Sequence, residues 1–215
     1  MAVAINTIRK MTHHQTVVVV VGVLALQGGF AEHVQALRKC GVEAKEVRLP
    51  QDLTTLDALI LPGGESTTIG LLATTYGLID AIRIFALDHP VWGSCAGAIL
   101  LSKGATQEGK QSDQPLIGAM NLTVSRNAFG SQVDSFEFLL TVHGIEHLDQ
   151  PFPAVFIRAP VLVPGPSVSI LASLPDGKVV ACQQGHLLAT SFHPELAADL
   201  RMHRFFNRLI SHPHQ

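Results

Sequence analysis

The sequence predicts an α/β fold in three layers: a mostly parallel central sheet, helices on both faces, and an antiparallel meander late in the chain. Two observations carry this. The first two-thirds alternates short apolar runs with stretches of helical periodicity, the order that parallel pairing through crossovers requires. The last third strings three strand-length runs on tight Gly-containing turns, which suit antiparallel neighbours.

Val17–Leu26 reads as a central strand, because it is apolar at nearly every position and so suits burial on both faces. It is about half the length of a membrane span. Phe30, Val34 and Leu37 follow at helical spacing, with Gly41 placed to end that helix. Val42–Leu49 is a weaker strand. Ala58–Leu61 is a short buried strand that stops at Pro62-Gly63-Gly64. Ser66–Tyr76 and Leu78–Leu87 read as helices broken at Gly77. A strand then begins at Val91, and Ala98-Ile99-Leu100-Leu101 opens the next helix. Gln107–Pro115 is polar and contains Gly and Pro, so it reads as a surface loop. The meander comprises Ser169–Leu174, Lys178–Gln183 and Leu187–Phe192. A last helix carries Met202, Phe205, Phe206 and Leu209 at i, i+3, i+4, i+7.

Residues 17–215 read as one domain, since 215 residues suffice for one core. Residues 1–16 differ in composition: they hold Arg9 and Lys10, no acidic residue and a polar His13-His14-Gln15. They read as a loosely attached N-terminal extension, with a short organelle-targeting segment as the alternative. The net charge of −2 gives no electrostatic reason to expect nucleic acid or a membrane surface. Three cysteines without tight spacing (Cys40, Cys95, Cys182) suit neither a disulfide framework nor a zinc site. A reducing, cytoplasmic setting is therefore expected.

The chemistry is concentrated at Val91-Trp92-Gly93-Ser94-Cys95-Ala96-Gly97. A strand running into Gly-x-Cys-x-Gly and then a helix is the layout of a nucleophile elbow, with Cys at its apex. The sharp turn strains the central residue and leaves no room for bulky neighbours. The sulfur would project above the first turn of a helix, which favours an anionic thiolate. Such a nucleophile needs a base and an orienting group. Ser191-Phe192-His193-Pro194-Glu195 supplies both. In an extended segment His193 and Glu195 share a face, so the carboxylate can hold one ring nitrogen while the other faces Cys95. Pro62-Gly63-Gly64-Glu65-Ser66-Thr67-Thr68 ends a buried strand and opens a helix on the same sheet edge. The Gly64 and Ala96 N–H groups would form an oxyanion hole. Read structurally instead, the same segment is a Gly-Gly turn with a Ser cap on the next helix.

Together these segments resemble the triad-type glutamine amidotransferases, and within them the glutaminase subunits of pyridoxal 5'-phosphate synthase. The finer likeness rests on Gly22–Gly28, Pro62–Thr68, Trp92–Gly97, the block from Arg126 to Gln132, Ser135-Phe136-Glu137, Phe156–Pro160 and Thr190–Glu195. It runs from about Val17 to the final helix. Ser94 stands where the family has Thr, and residues 1–16 have no family counterpart.

The resemblance implies L-glutamine as substrate, Cys95 as nucleophile, His193 as proton carrier and Glu195 as its orienting group. It implies that Gly64, Glu65, Ser66, Arg126, Ile157 and Arg158 line the glutamine site, and that Gln27 lies near the oxyanion loop and the partner interface. The charges suit a zwitterion, whose ammonium seeks a carboxylate such as Glu65 and whose carboxylate seeks a guanidinium. It further implies docking on a synthase subunit in a hetero-oligomer, with no cofactor and no metal of its own. The rival readings are a related Cys-elbow hydrolase or peptidase, and a catalytically silent docking subunit. His143 and His147 are four apart, as zinc ligands on a helix would be, but no third ligand is evident. His203, His212 and His214 read as solvated, and Cys40 and Cys182 as small buried hydrophobes.

Overall fold

The computed structural model describes residues 18–107, 109–126 and 135–211. The N-terminal extension at 1–16, the stretch 127–132 of the Arg126 block, and His212 and His214 lie outside the described residues.

Four strands form the parallel half of the main sheet: β1 (Val20–Leu24), β2 (Glu43–Val47), β3 (Ala58–Leu61) and β4 (Val91–Ser94). They lie in the order β2–β1–β3–β4, all parallel. β3 and β4 are buried at every position, the burial that an unbroken apolar run calls for. β2 is the edge strand and buries only Ala44 and Val47, which is why its sequence signal is weaker.

Helices cover both faces. On one side α2 (Ser66–Thr75), α3 (Leu78–Phe85) and α4 (Ala96–Leu101) bury Ile69, Ile82 and Leu100 against Leu59 and Leu61. On the other, α1 (Phe30–Lys39) and α5 (Arg201–Ser211) bury Leu37, Met202 and Phe206 against Val23, Ile60 and Trp92. α1 gives way at Cys40 to Gly41, whose φ of 78° is the left-handed conformation that ends a helix. Gly77, at φ 71°, separates α2 from α3 in the same way.

The middle of the chain carries strands that the apolar pattern does not announce. They are β5 (Ser102–Gln107), β6 (Lys110–Gln111), β7 (Met120–Arg126), β8 (Ser135–Leu140), β9 (Phe152–Ile157) and β10 (Val161–Pro164). The stretch expected as a surface loop, Gln107–Pro115, is in part the β5–β6 hairpin. β8 and β9 pair antiparallel as a separate ribbon.

The meander is present as β11 (Ser169–Ser173), β12 (Val179–Gln184) and β13 (Leu187–Thr190), antiparallel in sequence. Its last strand also joins the parallel half, because β13 lies beside β4 with Thr190 opposite Ser94. The main sheet therefore runs β2–β1–β3–β4–β13–β12–β10–β7–β5–β6, with β11 against β12. Among the described residues no single helix is long and apolar enough to cross a membrane.

One buried charge organises the approach to β9. Arg201, 8% exposed, pairs with Asp199 at 2.6 Å and donates to the carbonyls of Glu146, His147, Gln150 and Pro151. A guanidinium satisfies so many acceptors at once because its five N–H groups form a fixed planar fork.

Candidate active site

Cys95 stands between the end of β4 and the start of α4 with φ 49° and ψ −106°, a strained conformation for a residue with a Cβ. The flanking glycines make the turn feasible. A Cβ on Gly93 would lie 2.4 Å from the Gly97 carbonyl oxygen, and one on Gly97 only 1.9 Å from that of Leu61. The Cys95 N–H donates to the Thr190 carbonyl at 2.8 Å, tying the elbow to β13. Ala96 is the first residue of α4, where backbone N–H groups have no acceptor within the helix.

The parallel pairing of β4 with β13 is what delivers the histidine. Three residues past Thr190, the His193 N–H donates to the Val155 carbonyl of β9 at 2.8 Å. His193 and Glu195 do not share the face of an extended segment, as the sequence suggested. Pro194–Leu196 is a 3₁₀ turn, with proline in its first position. The carboxylate still reaches the ring, because Glu195 Oε1 accepts from His193 Nδ1 at 2.8 Å. Burial works against a charged His193. Hydrogen bonds to Cys95 and Glu195 outweigh it and raise the ring to about 10. Burial alone would likewise raise the Glu195 carboxyl. The His33 ring at its second oxygen, with the His193 hydrogen bond at the first, instead holds it well below the usual carboxylate range. His193 is therefore the proton-bearing member at neutral pH, braced by an anion.

Gly63 and Gly64 lie at the tip of β3. Both Cys95 and His193 overhang Gly63: a Cβ there would come 2.3 Å from His193 Cε1 and 3.4 Å from Cys95 Cβ. Gln27 closes over Gly64, and its carboxamide oxygen accepts from the Glu65 N–H at 2.8 Å. The cap of α2 is Glu65 and not Ser66. Its carboxylate accepts from the backbone N–H groups of Thr67 and Thr68 at 3.1 and 2.7 Å. Burial, the largest single influence, works to raise the Glu65 carboxyl, but the hydrogen bonds from Thr68 and Thr67 together outweigh it and lower the group to about 2. Arg126 reaches the same carboxylate at 3.4 Å.

A cavity of about 290 Å³ opens over the sulfur, at the small end of the range for ligand sites. Cys95, His193, Gly64, Ala96 and Gln27 line it. Glu65, Ser66, Arg126, Ile157 and Arg158 line it as well. Glu195 lies behind His193. Arg158 holds φ 43°, and the Ile157 carbonyl lies 3.9 Å from the Cys95 sulfur. The cavity thus places a cysteine sulfur, an imidazole, one carboxylate and two guanidiniums around a space that suits a small zwitterion.

Sequence reasoning missed two neighbours of this site. Gln114 accepts from Ser66 Oγ and Arg126 Nη1, both at 3.0 Å, and a lone glutamine in a polar loop gives no sign of that. His33 faces Glu195 from α1, and here a signal existed. It is i+3 from Phe30 and i−4 from Leu37, a polar residue on a core-facing stripe. His203 is not solvated as expected. It is fully buried, three residues before Phe206 on the inward stripe of α5. Burial, and then His33, lower its ring to about 3. Cys182 is buried with its thiol pushed up to about 12 by burial, whereas Cys40 is only partly buried. His143 and His147 lie in a loop and not on a helix, with His147 at φ 54°. No cluster of His, Cys, Asp or Glu among the described residues could hold a metal ion.

Comparison with known proteins gives the same picture from a different direction. The model of the SNO glutamine amidotransferase family matches residues 23–212. A protein of Chloroflexus aggregans named pyridoxal 5'-phosphate synthase subunit PdxT is 53% identical over 191 residues, covering 88% of this chain and 99% of that one. Its namesake in Roseiflexus sp. is 55% identical over 188 residues, covering 86% and 97%. A crystal structure titled glutamine amidotransferase superposes with a TM-score of 0.81 at 49% identity, covering 89% of this chain and 98% of that one. PurLQS from Thermotoga maritima shares the fold, with a TM-score of 0.63 at 14% identity over 90% and 99% of the two chains. With a cysteine elbow, a His–Glu pair and this extent of likeness, the chain belongs to the SNO glutamine amidotransferase family.

Proposed function

We propose that this protein is the glutaminase subunit of a pyridoxal 5'-phosphate synthase, and that it hydrolyses L-glutamine through Cys95, His193 and Glu195. The observation that carries the reading is the convergence of Cys95 and His193 over Gly63, with Glu195 hydrogen-bonded behind the ring. It is supported by relatives named PdxT that are matched over nearly their whole length.

The Cys95 sulfur attacks the side-chain amide carbon of glutamine. The Gly64 and Ala96 N–H groups receive the charge that forms on the carbonyl oxygen. His193 then gives its proton to the amide nitrogen, which leaves as ammonia, and a thioester remains on Cys95. The neutral ring next takes a proton from water as that water attacks the thioester. Glutamate leaves and the sulfur and imidazolium are restored. Glu195 orients His193 and balances its charge throughout. Glu65 receives the ammonium of the substrate, and Arg126 and Arg158 its carboxylate. Because Glu65 and Arg126 already face each other, the zwitterion replaces a protein ion pair and leaves no charge unpaired.

Ammonia in neutral water is mostly protonated and no longer nucleophilic, so its value lies in direct transfer. A synthase subunit docked on this chain, with Gln27 and the oxyanion loop near the contact, would receive it. Residues 17–215 form the glutaminase domain in this reading, and the setting is the cytoplasm.

The test is ammonia release from glutamine with and without the synthase subunit, for the wild type and Cys95→Ala. Activity that rises on adding the synthase and vanishes in Cys95→Ala is the expected result. Release that survives Cys95→Ala would refute the nucleophile, and a wild type inert even with the synthase would refute the glutaminase reading.

A further inference from the structure

Behind the triad lies a second histidine pair that the mechanism does not use. His33 and His203 are both fully buried, and they come from opposite ends of the chain, on α1 and α5. His33 Nε2 lies 3.1 Å from the hydroxyl of Ser94 and 3.2 Å from Glu195 Oε2. Among the described residues that carboxylate oxygen has no aligned hydrogen-bond partner, and the His33 ring is the polar group placed beside it. His33 Nδ1 lies 3.0 Å from His203 Nε2, and His203 Nδ1 has no hydrogen-bond partner among the described residues.

The neighbours assign the protons. A carboxylate is an acceptor only, so the Nε2 of His33 that faces it carries the hydrogen. His33 Nδ1 then accepts, and His203 donates from Nε2. This leaves a lone pair unsatisfied at His203 Nδ1, which costs less than a buried N–H without an acceptor. The donors thus run in one direction, His203 to His33 and His33 to the gap between the Ser94 hydroxyl, which accepts, and the Glu195 carboxylate 3.2 Å away.

We infer that His33 is a positioning residue for glutamine hydrolysis. It holds the second oxygen of Glu195 so that the first is aimed at His193 Nδ1, and His203 and Ser94 hold His33 in turn. A buried carboxylate with one oxygen free could rotate about its last torsion, which is soft for an sp³–sp² bond. The His193 ring would then lose its bearing on the Cys95 sulfur. Ser94 lies directly before the nucleophile, so the row links the elbow, the acid and two helices. The competing explanation is packing alone, since both rings stand edge-on to Trp92, with centroids 5.6 and 5.1 Å from it.

The inference rests on the triad reading, and the test separates the two. The full-length chain is assayed with its synthase subunit as wild type, His33→Leu, His33→Gln and His203→Leu. Leucine keeps the bulk and removes the polar contact, while glutamine restores an N–H at comparable reach. His33→Leu is expected to lower kcat roughly 10- to 100-fold, the range for removing a partner of an active-site ligand, with KM for glutamine unchanged. His33→Gln recovers most of that loss, and His203→Leu loses several-fold in kcat. In parallel, the low-field proton resonance of the His193–Glu195 hydrogen bond is recorded without glutamine. It is sharp in the wild type and His33→Gln, and broadened in His33→Leu. If His33→Leu does not fold, His203→Leu and His33→Gln decide the matter by the same two readouts. Leucine variants with wild-type kcat and an unchanged resonance overturn the role, as does equal loss in the leucine and glutamine variants at position 33. An inert wild type overturns the triad reading instead.

Discussion

A single methyl group at position 63 tests the geometry of the site more directly than removal of any reactive group. Gly63 lies beneath the point where Cys95 and His193 meet. In Gly63→Ala the new Cβ falls 2.3 Å from His193 Cε1 and 2.8 Å from Nδ1, whereas ordinary contact begins at 3.4 Å. The ring must retreat by about 1 Å. The clash is with the end of a side chain and not with backbone, so the fold adjusts at little cost. Catalysis does not, because a misplacement of about 1 Å between reacting groups costs on the order of 10²-fold. The expected outcome is a kcat for ammonia release lowered about a hundredfold, with the melting temperature within a few degrees of wild type. Gly104→Ala is the control, since its Cβ would find nothing nearer than Thr123 at 3.6 Å. A Gly63→Ala enzyme with kcat within twofold of wild type would mean that His193 does not work from this position.

Stability also depends on the ring. His193 is raised from 6.5 to about 10, so its contribution is fully present below pH 6.5, fades as pH climbs, and is gone once pH passes about 10. Urea unfolding between pH 6 and pH 10 should show that decline, and in Cys95→Ala, which removes one raising hydrogen bond, it should occur at lower pH. Glu65→Gln keeps an acceptor for the α2 cap but removes the charge offered to an ammonium. It should raise KM for glutamine by roughly tenfold, the scale of a charged hydrogen bond, and leave kcat nearly unchanged in steady-state assays. Arg201→Ala leaves the half-buried Asp199 and four carbonyls of exposed loop residues to be met by water, and should cost about 1 to 3 kcal/mol in chemical denaturation.

The parallel half of the fold was legible because its strands are buried on both faces and its breaks fall on glycine. Ala58–Leu61 and Val91–Ser94 are apolar or small throughout, and Gly41 and Gly77 end helices where the chain must turn left-handed. The middle third was not legible. Ser102–Gln107 is a strand held by its neighbours β6 and β7, with no apolar alternation of its own. The Cys elbow and the His-Pro-Glu segment stand out in the sequence because few side chains can supply such chemistry, and the fold brings Cys95 and His193 together over Gly63. Neighbours such as Gln114 and His33 are recognised by position alone, and position emerges only when distant segments meet. His203 shows the converse error: a histidine taken as polar and outward because of its type, though the helical repeat set it among Met202 and Phe206.

The place of β13 in the sheet has a consequence for biosynthesis. The strand that leads into Cys95 has its outer neighbour supplied by residues 187–190, more than ninety positions later in the chain. Until the ribosome releases that segment, β4 presents a row of unpaired amides, the kind of edge on which chains aggregate. Closing this long-range pair is a slow step by its topology, and a transcript cut short before residue 187 yields a sticky half-sheet, not a weak enzyme.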